Sequence, residues 1–257
     1  MTELFSAHPV YTSTLIAILV SAALCFPVLF FVVAPYGRHH RAGFGPSIKA
    51  RWGWVLMEAP APASFVFMFL MTGTRTTAGF VLCGMYLTHY LYRSFVFPFR
   101  MRGGDKPKPL LTVALAILFN VASGCINGFA ISNLAPHLEG NAHLLSPLFF
   151  VGATLFFSGF ALNVQSDNIL RSLRKPGETG YKIPRGGGFR FVTSPNYLGE
   201  IIEWTGFALC AWTGAAAAFA LFTAANLIPR AWSHHRWYRE KFEDYPEGRR
   251  AIVPGLL

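Results

Sequence analysis

The segment that organises this sequence, residues 163–204, reads NVQSDNILRSLRKPGETGYKIPRGGGFRFVTSPNYLGEIIEW. It joins the end of one apolar stretch to the start of the next. It also holds the densest group of polar and charged side chains in a chain of which 13% is charged, against roughly 25% in an average soluble domain. We therefore expect the rest of the chain to form a membrane scaffold around this segment.

The first part of the segment reads as a helix with one polar face. Asn163, Asp167, Arg171 and Arg174 follow at i, i+4, i+8 and i+11, which places them within an arc of roughly 80°. Two interpretations fit. Asp167 and Arg171 could form an ion pair on a helix that leaves the bilayer, or the four side chains could line a site. We favour the site.

A basic, glycine-rich stretch follows the turn signal at 175–177. Lys182, Arg185 and Arg190 surround three consecutive glycines at 186–188. Cations and exposed backbone amides in this arrangement suit phosphate. A G-x-G-x-x-G between a strand and a helix is missing from the sequence, so a Rossmann domain is not indicated.

The next helix is predicted to begin at Ser194 and Pro195, which are favoured N-cap and N1 residues. It carries Asn196, Glu200 and Glu203 at i, i+4 and i+7. These three side chains share one face. A second polar surface is thus expected beside the first.

Composition indicates an integral membrane protein, since 53% of the 257 residues are hydrophobic. The formal charge of +10 comes from basic residues between apolar segments, which is typical of cytoplasmic loops rather than of nucleic-acid binding. The four cysteines are scattered and indicate neither disulfides nor zinc. The histidines lack the closely spaced boxes of membrane di-iron enzymes, so no metal is expected.

Five apolar segments are each long enough to cross a bilayer core of about 30 Å. They lie near residues 10–36, 52–73, 76–98, 110–132 and 145–168. Residues 198–228 are also apolar and could form one long helix or a pair that turns at Thr213 and Gly214. The basic stretches before and after this region should both be cytoplasmic, so an even number of crossings separates them. We therefore predict an all-α, multi-pass fold with seven transmembrane helices.

The other loops fit this topology. The loops 37–51 and 99–109 are basic, and their cations are Arg38, Arg41, Lys49, Arg51, Arg100, Arg102, Lys106 and Lys108. We expect a periplasmic or lumenal N-terminus, which the apolar run near it would anchor in the membrane, and a cytoplasmic C-terminus. The membrane is that of the endoplasmic reticulum or the bacterial inner membrane, and its lipid is an expected partner.

Glu58 lies in the middle of the second span, where a carboxylate costs a few kcal/mol unless it faces a cavity or a partner. Pro60 and Pro62 should break the helix beside it, which is tolerated where backbone lines a cavity. We expect a functional carboxyl in a pocket wall. The alternative is an interhelical ion pair with Arg93.

The third and fourth spans carry further polar side chains. Tyr86, Tyr90 and Arg93 share a face in the third, although tyrosines at a helix end usually form an interfacial belt. In the fourth span, Asn120 and Asn127 are predicted to serve helix packing without chemistry. The tail after residue 230 could be a basic amphipathic segment on anionic lipid headgroups.

Several strings of this sequence resemble those of a known family. The strings NVQSDNILRSLRKPGETGYKIPRGG, SPNYLGEIIEW and HHRWYREKFEDYP are similar to the C-terminal half of the steroid 5-alpha-reductases, membrane enzymes that reduce 3-oxo-delta-4 steroids with NADPH. MEAP and HYLYRSFVFP extend the resemblance towards the N-terminus. It implies that Glu58 and Tyr90 contact the steroid ketone. Met57 replaces the glutamine that often precedes this glutamate.

The resemblance also implies a cofactor site that the C-terminal tail covers. The implied NADPH contacts are Asn163, Asp167, Arg171, Arg174, Asn196, Glu200, His234, Tyr238 and Arg249. Trp54 and Trp204 are candidate walls for the steroid rings, or interface anchors. Residues 1–132 would form the substrate-pocket half and residues 145–257 the cofactor-binding half of one domain.

The predicted reaction is reduction of the 4,5 double bond by hydride transfer, with Glu58 and Tyr90 polarising the 3-ketone. The many cations favour NADPH over NADH, because a 2′-phosphate needs more of them than a pyrophosphate alone. Alternatives are an enoyl-CoA or sterol reductase of the same fold and an isoprenylcysteine-type methyltransferase. The latter begins the corresponding helix with His-Pro, where this chain has Ser194-Pro195. A membrane scaffold without catalysis is the simplest alternative.

Overall fold

A computed structural model describes residues 6–32, 43, 45–175, 178 and 180–256. The described chain is mainly helical and contains one short two-stranded sheet, so the predicted helical fold is confirmed and the sheet is an addition. Arg38, Arg41, the pair His39-His40 and the turn at 176–177 lie outside the described residues.

Nine α-helices and two strands follow in chain order within these ranges. Their bounds are α1 Pro9–Phe31, β1 Ser47–Lys49, α2 Ala50–Glu58, α3 Pro60–Met71, α4 Thr77–Leu91, α5 Phe97–Arg100, β2 Pro107–Pro109, α6 Leu110–Asn133, α7 Pro147–Ser172, α8 Pro195–Ala211 and α9 Gly214–Lys241. A π-helical turn, Tyr92–Val96, joins α4 to α5. Short 3₁₀ turns occupy Pro136–Leu138, His143–Leu145 and Gly187–Arg190.

Four helical stretches are long and apolar enough to cross a membrane, as expected of an integral membrane protein. They are Pro9–Phe31, Ala50–Met71, Leu110–Asn133 and Pro147–Ser172. The remaining predicted spans are helical too but are not among these four: α4 continues through the π-helical turn into α5, α8 has 17 residues, and α9 has 28 residues with a basic second half. The count of seven spans therefore stays a prediction.

The second predicted span is interrupted as its prolines indicate. α2 ends at Glu58, Ala59 lies between the helices, and α3 begins at Pro60. Pro60 and Pro62 have no N–H to donate to the turn before them, so the hydrogen-bond ladder is weakened there. The break places Glu58 at a helix end rather than inside a continuous helix.

The apolar region after residue 198 is divided where the sequence predicts a turn. Trp212 has a φ of 48°, a left-handed conformation that ends α8. The Thr213 side chain then accepts a hydrogen bond from the Ala216 N–H and caps α9. α8 and α9 are therefore separate helices that pack against each other.

Glycines bring α7 and α8 into backbone contact. A Cβ on Gly159 would lie 2.5 Å from the Gly199 carbonyl oxygen, and one on Gly199 would lie 2.7 Å from the Asn163 nitrogen. Only residues without a Cβ allow so close an approach. The contact sets the polar faces of both helices side by side.

Two further contacts hold the polar loops together. β1 pairs antiparallel with β2, with Ile48 opposite Lys108, and so joins the segments that precede α2 and α6. Val192 forms an isolated parallel bridge with Arg250, which ties the C-terminal tail to the stretch before α8. Lys106, next to β2, also lies over the Tyr181 ring, so the sheet and the tail are both at the end of the molecule where the Asn163–Trp204 segment lies.

Candidate active site

A cavity of about 240 Å³ lies among α2, α4, α6, α7, α8 and α9. Its wall combines aromatic rings with a few ionisable side chains. The rings are Trp54, Tyr90, Phe97, Phe119, Tyr197, Trp204, Phe219 and Phe222, and the ionisable groups besides Tyr90 and Tyr197 are Glu58, His89, Arg93, Asp167, Glu200 and Arg230. An apolar pocket with a few convergent polar groups is the usual form of a small-molecule site.

Glu58 and Tyr90, the predicted catalytic pair, both line this cavity. Tyr90 is almost fully buried, and its hydroxyl donates to Asn120 Oδ1 at 3.5 Å. The Asn120 amide group in turn donates to the Met57 carbonyl oxygen. Asn120 therefore connects Tyr90 to the backbone next to Glu58, so the packing contact predicted for it lies in the cavity wall.

Trp204 forms part of the cavity wall from within the protein core. It is 1% exposed, and its ring lies 4.6 Å from His89, 4.6 Å from Phe219 and 5.7 Å from Tyr90, measured between ring centroids. With these contacts in the core, Trp204 does not lie at the membrane interface, so the interpretation as an interfacial anchor does not apply to it. Trp204 can present a flat apolar surface to a ring system in the cavity.

Arg93 is the centre of a buried charge network at the cavity. Its guanidinium lies 3.3 Å from Asp167 and 4.0 Å from Glu200, and Asn196 donates to the other oxygen of Asp167 at 3.2 Å. Arg93 thus pairs with these two carboxylates rather than with Glu58, and Asp167 pairs with Arg93 rather than with Arg171. The network joins α4, α7 and α8 around the cavity.

Asn163 supports this network from the next turn of α7. Its amide group donates to the Asn196 carbonyl oxygen at 2.9 Å and to Glu200 at 3.3 Å. The polar faces predicted for the two helices do meet. Asn163 itself is buried behind the residues that line the cavity.

His89 and Glu203 form a second buried pair, which the sequence analysis did not assign to the site. His89 Nδ1 lies 2.9 Å from Glu203 Oε1, and the two residues are 3% and 0% exposed. His89 lines the cavity one residue before Tyr90. The only signal in the sequence was its place beside the polar face of α4.

A second cavity, of about 400 Å³, shares Trp54, Phe97, Tyr197 and Arg230 with the first. The two cavities therefore adjoin each other at these four side chains, and together they are called the cleft. The second cavity is basic, with the cations Arg102, Lys106, Lys108, Arg174 and Arg230 and the histidine His234 in its wall. Such a group of cations suits a phosphorylated ligand.

Lys108 is the most enclosed of these cations. It is 2% exposed, and its ammonium lies 4.2 Å from the centre of the Trp54 ring. The pKa of Lys108 is lowered to about 7, chiefly by burial and also by nearby Arg230 and Arg93, against the opposing effect of Glu58. An anion bound in this cavity would favour the charged lysine.

The structure separates the predicted cofactor residues into groups. Asp167, Asn196 and Glu200 line the first cavity, and Arg174 and His234 line the second. Tyr238 meets Arg174 in a small adjoining cavity of about 100 Å³. Asn163 supports the first group from behind.

Arg171 and Arg249 lie apart from the two large cavities. Arg171 lines an open groove on the outer face of α7, together with Gln165 and Asn168. Arg249 is buried in the C-terminal tail, where its guanidinium lies 5.0 Å from the Tyr245 ring.

The sequence analysis missed Lys106, Lys108 and Arg230 as candidate site residues. Lys106 and Lys108 were interpreted only as topology signals of a basic loop. They lie at the cleft because β1 pairs with β2. Strands of only three residues are too short to show an alternating pattern in the sequence, so this pairing could not be predicted. Arg230 follows Pro229 within α9 and has no neighbouring motif.

The described residues fit a dinucleotide in this cleft. Basic side chains surround one part and carboxylates and amides the other. Asn163 Oδ1, which is buried behind the residues that line the first cavity, has no hydrogen-bond partner among the described residues. Buried polar atoms are normally paired, so an unpaired oxygen next to the cavity suits a bound ligand.

Comparison with known proteins agrees with this geometry. A family model described as 3-oxo-5-alpha-steroid 4-dehydrogenase matches residues 106–257. The protein named 3-oxo-5-alpha-steroid 4-dehydrogenase 1 from Macaca fascicularis is 43% identical over 225 residues, which cover 86% of this chain and 84% of that protein. The protein of the same name from Bos taurus is 41% identical over 239 residues, which cover 91% of this chain and 92% of that protein.

The similarity extends to a plant protein. Steroid 5-alpha-reductase DET2 from Solanum lycopersicum is 40% identical over 244 residues, which cover 93% of this chain and 94% of that protein. The family model matches the C-terminal part of the chain, and the relatives align with most of its length. Both findings agree with the resemblance seen in the sequence. The chain belongs to the 3-oxo-5-alpha-steroid 4-dehydrogenase family.

Proposed function

We propose that this protein is an NADPH-dependent steroid 5-alpha-reductase. It reduces the 4,5 double bond of 3-oxo-delta-4 steroids, such as testosterone, progesterone or androstenedione, to the 5-alpha-3-oxo product. One observation carries the proposal: Glu58 and Tyr90 line a largely aromatic cavity that adjoins a basic one. The names of the relatives, 3-oxo-5-alpha-steroid 4-dehydrogenase 1 and steroid 5-alpha-reductase DET2, support the same reaction.

Glu58 and Tyr90 would activate the ketone. Glu58, in its protonated form, and the Tyr90 hydroxyl each donate a hydrogen bond to the 3-oxo oxygen. Both bonds strengthen when negative charge develops on that oxygen, which stabilises the enolate relative to the ketone. One such donor is typically worth about 3 kcal/mol in the transition state. The Tyr90 hydroxyl has one hydrogen, which in the structure it donates to Asn120 Oδ1 at 3.5 Å. Asn120 would orient the hydroxyl, which then donates this hydrogen to the ketone oxygen instead when the steroid binds.

The aromatic wall would hold the sterol skeleton. Trp54 and Trp204 offer flat apolar surfaces, and Phe119 and Phe222, whose rings stack at 4.0 Å, close the side of the cavity formed by α6 and α9. Burial of an apolar skeleton here removes it from lipid and water alike. It also excludes water from the reacting carbons.

NADPH would occupy the rest of the cleft and supplies the hydride when bound. Asp167, Asn196 and Glu200 would hold its nicotinamide end beside the first cavity, and Arg174, His234 and the cations of the second cavity its phosphates. Tyr238 would close the site from the tail, and Asn163, Arg171 and Arg249 would complete it as the family resemblance implies. The basic cavity favours NADPH over NADH, because a 2′-phosphate brings additional negative charge.

We further propose seven crossings with a periplasmic or lumenal N-terminus and a cytoplasmic C-terminus. The division into α8 and α9 supplies the even number of crossings that two basic flanks require. Cysteines placed at Glu139 and at Glu247 of a cysteine-free variant test this in sealed vesicles. Reaction of both sites with an impermeant reagent from the same side would contradict the topology.

Activity of the purified protein tests the function directly. The protein in detergent is given NADPH and testosterone, and nicotinamide absorbance and product mass are followed. We expect a product two hydrogens heavier, and at least a hundredfold lower kcat in Glu58→Leu and in Tyr90→Phe, since each replacement removes one oxyanion donor, a loss that costs roughly 10²–10³. Reduction of an enoyl-CoA or a sterol in place of testosterone would assign the protein to another reductase class.

A further inference from the structure

The buried pair His89–Glu203 is a candidate for a role that the proposed reaction leaves open, namely protonation of the α carbon. The His89 imidazole lines the central cavity, and its Nδ1 is engaged by Glu203 Oε1 at 2.9 Å. The bond to Glu203 thus leaves Nε2 for a group in the cavity. A carboxyl that binds one ring nitrogen fixes the tautomer and orientation of the other.

The pair is poorly explained by packing alone. Glu203 is fully buried, and its Oε2 has no hydrogen-bond partner among the described residues. The walls around His89 are aromatic, with ring centroids of Trp204 at 4.6 Å and Tyr90 at 5.0 Å. A hydrophobic pair of similar volume would avoid the desolvation cost of two polar groups here. His89 lines the cavity and Glu203 lies behind it, and an incompletely satisfied polar pair in this position is more typical of a site than of a core.

The position of His89 suits the α carbon. Tyr90, the next residue, is the proposed partner of the ketone oxygen, and the α carbon is bonded directly to the carbonyl carbon. A donor beside Tyr90 in the same wall is therefore close to that carbon. Glu58 and Tyr90 themselves are occupied by the oxygen.

We propose that His89 donates the proton to the α carbon and that Glu203 supplies a proton to Nδ1 in the same step. This inference rests on the proposed reductase function. When the hydride has reached the β carbon, the His89 Nε2–H bond breaks and a C–H bond forms at the α carbon, with the electron pair of the enolate. The carboxyl proton of Glu203 moves to Nδ1, so the imidazole stays neutral and Glu203 becomes a carboxylate. One solvent proton then binds Nε2 and the Nδ1 proton returns to Glu203, which restores both groups, and the sum is one hydride and one proton added to the double bond.

The position of deuterium in the product tests this step. Wild-type protein, His89→Gln and Glu203→Gln each reduce testosterone with NADPH in D₂O, and NMR reports on which face of the α carbon the deuterium lies. We expect a single face in the wild type. In His89→Gln we expect both faces and a kcat about a hundredfold lower, since general acid catalysis contributes roughly 10²–10⁴. The Kd for NADPH should stay within about twofold, because the cofactor cations are unchanged.

Glu203→Gln separates the two members of the pair. Glutamine keeps a hydrogen bond to Nδ1 but has no proton to pass on, so we expect a single deuterated face with a kcat about tenfold lower. His143→Gln is the matched control, because it replaces a histidine that binds the Cys210 carbonyl oxygen, outside both cavities. It should retain the wild-type rate and face.

The results distinguish this inference from the proposed function. If wild-type protein gives no reduced steroid, the function itself is wrong. If it does, but His89→Gln keeps one deuterated face and a kcat within about threefold, His89 is not the donor. Should His89→Gln not fold, Glu203→Gln decides, and an unchanged rate in that variant overturns the relay.

Discussion

Single side chains determine how the proposed ketone donors are held. Asn120 contacts Tyr90 through its oxygen and the Met57 carbonyl through its nitrogen, and thereby connects α6 with α4 and α2. Its two partners lie 30 and 63 residues away in the sequence. A pattern of polar residues within one helix therefore could not reveal its role.

Replacement of Asn120 by leucine should lower catalysis more than stability. The side chain is similar in size but cannot hold the Tyr90 hydroxyl, and a neutral hydrogen bond of about 1 kcal/mol corresponds to a kcat roughly five- to tenfold lower. Asn127→Leu is the control, since Asn127 is buried on the same helix and donates to the Ser123 carbonyl oxygen of its own turn. Steady-state kinetics of both variants are compared. Equal kcat in the two would show that Asn120 does not position Tyr90.

Replacement of Lys106 tests whether the basic cavity binds the cofactor phosphates. Because it lines that cavity, Lys106→Gln should raise the KM for NADPH at least tenfold, as expected for loss of a charge-assisted bond of about 1.5–3 kcal/mol. The steroid KM should change less than about twofold. Lys49→Gln, in the paired strand, is the control, because Lys49 is exposed and meets only Asp105 at 3.5 Å among its described ion pairs. A rise in both KM values would argue against a phosphate role for Lys106.

At the scale of helices, contact of α7 with α8 depends on glycine. The two polar faces form one network because Gly159 and Gly199 let the backbones touch. The sequence shows both glycines and both polar faces. It does not show that they face each other, since that depends on how the helices pack.

Gly159→Ala should therefore destabilise the protein, by about 1–3 kcal/mol as for other overpacked sites. Its Cβ would lie 2.5 Å from the Gly199 carbonyl oxygen, and backbone cannot yield as a side chain tip can. Gly84→Ala is the matched control in α4, where a Cβ meets nothing within 4 Å and alanine is the better helix former. Thermal unfolding in detergent should show a lower Tm for the first variant and an unchanged or higher Tm for the second. A similar Tm for both would refute the close contact.

The junction of α9 with the tail should be sensitive to acid. His235 lies beyond the apolar part of α9, and its Nδ1 lies 2.7 Å from the Thr193 hydroxyl, which also contacts the Tyr245 hydroxyl at 2.7 Å. Burial lowers the pKa of His235, and three arginines lower it further, namely Arg239, Arg249 and Arg250. The folded protein therefore favours the neutral ring.

The sign follows from linkage. An unfolded histidine has a pKa of about 6.5, so below this pH the unfolded chain binds a proton that the folded chain does not. The contribution of His235 to stability is present above about pH 6.5 and is lost as the pH falls towards its lower folded pKa. We expect the Tm to drop less between pH 7.5 and pH 5.5 in His235→Gln than in the wild type. An equal drop in Tm in both proteins would show that protonation of His235 does not cause the loss of stability in acid.

At the scale of the whole molecule, the cleft lies between parts that are distant in the sequence. The first cavity takes Glu58 and Tyr90 from the proposed substrate-pocket half and Asp167, Asn196 and Glu200 from the proposed cofactor-binding half. The division of the chain into these halves stays a proposal. A hydride transfer requires the two ligands to be in contact, and a cavity lined by residues of both halves allows this.

The sequence predicted the helical membrane fold well, because apolar length and proline positions determine it locally. It predicted the break beside Glu58 and the turn at Thr213 for the same reason. It did not reveal the pairing of β1 with β2, the basic cavity, or the partners of Arg93 and His89, because each depends on contacts between separate elements. Glu58 and Tyr90 were found because an intramembrane carboxylate is costly and because the surrounding strings resemble a family.

A structure of the protein with NADP⁺ and testosterone bound tests the central claim most directly. We predict the 3-oxo oxygen about 3 Å from both the Glu58 carboxyl and the Tyr90 hydroxyl, as hydrogen bonding requires, with the cofactor phosphates among Lys106, Arg174 and Arg230. A steroid whose ketone points away from Glu58, or phosphates outside the basic cavity, would contradict it.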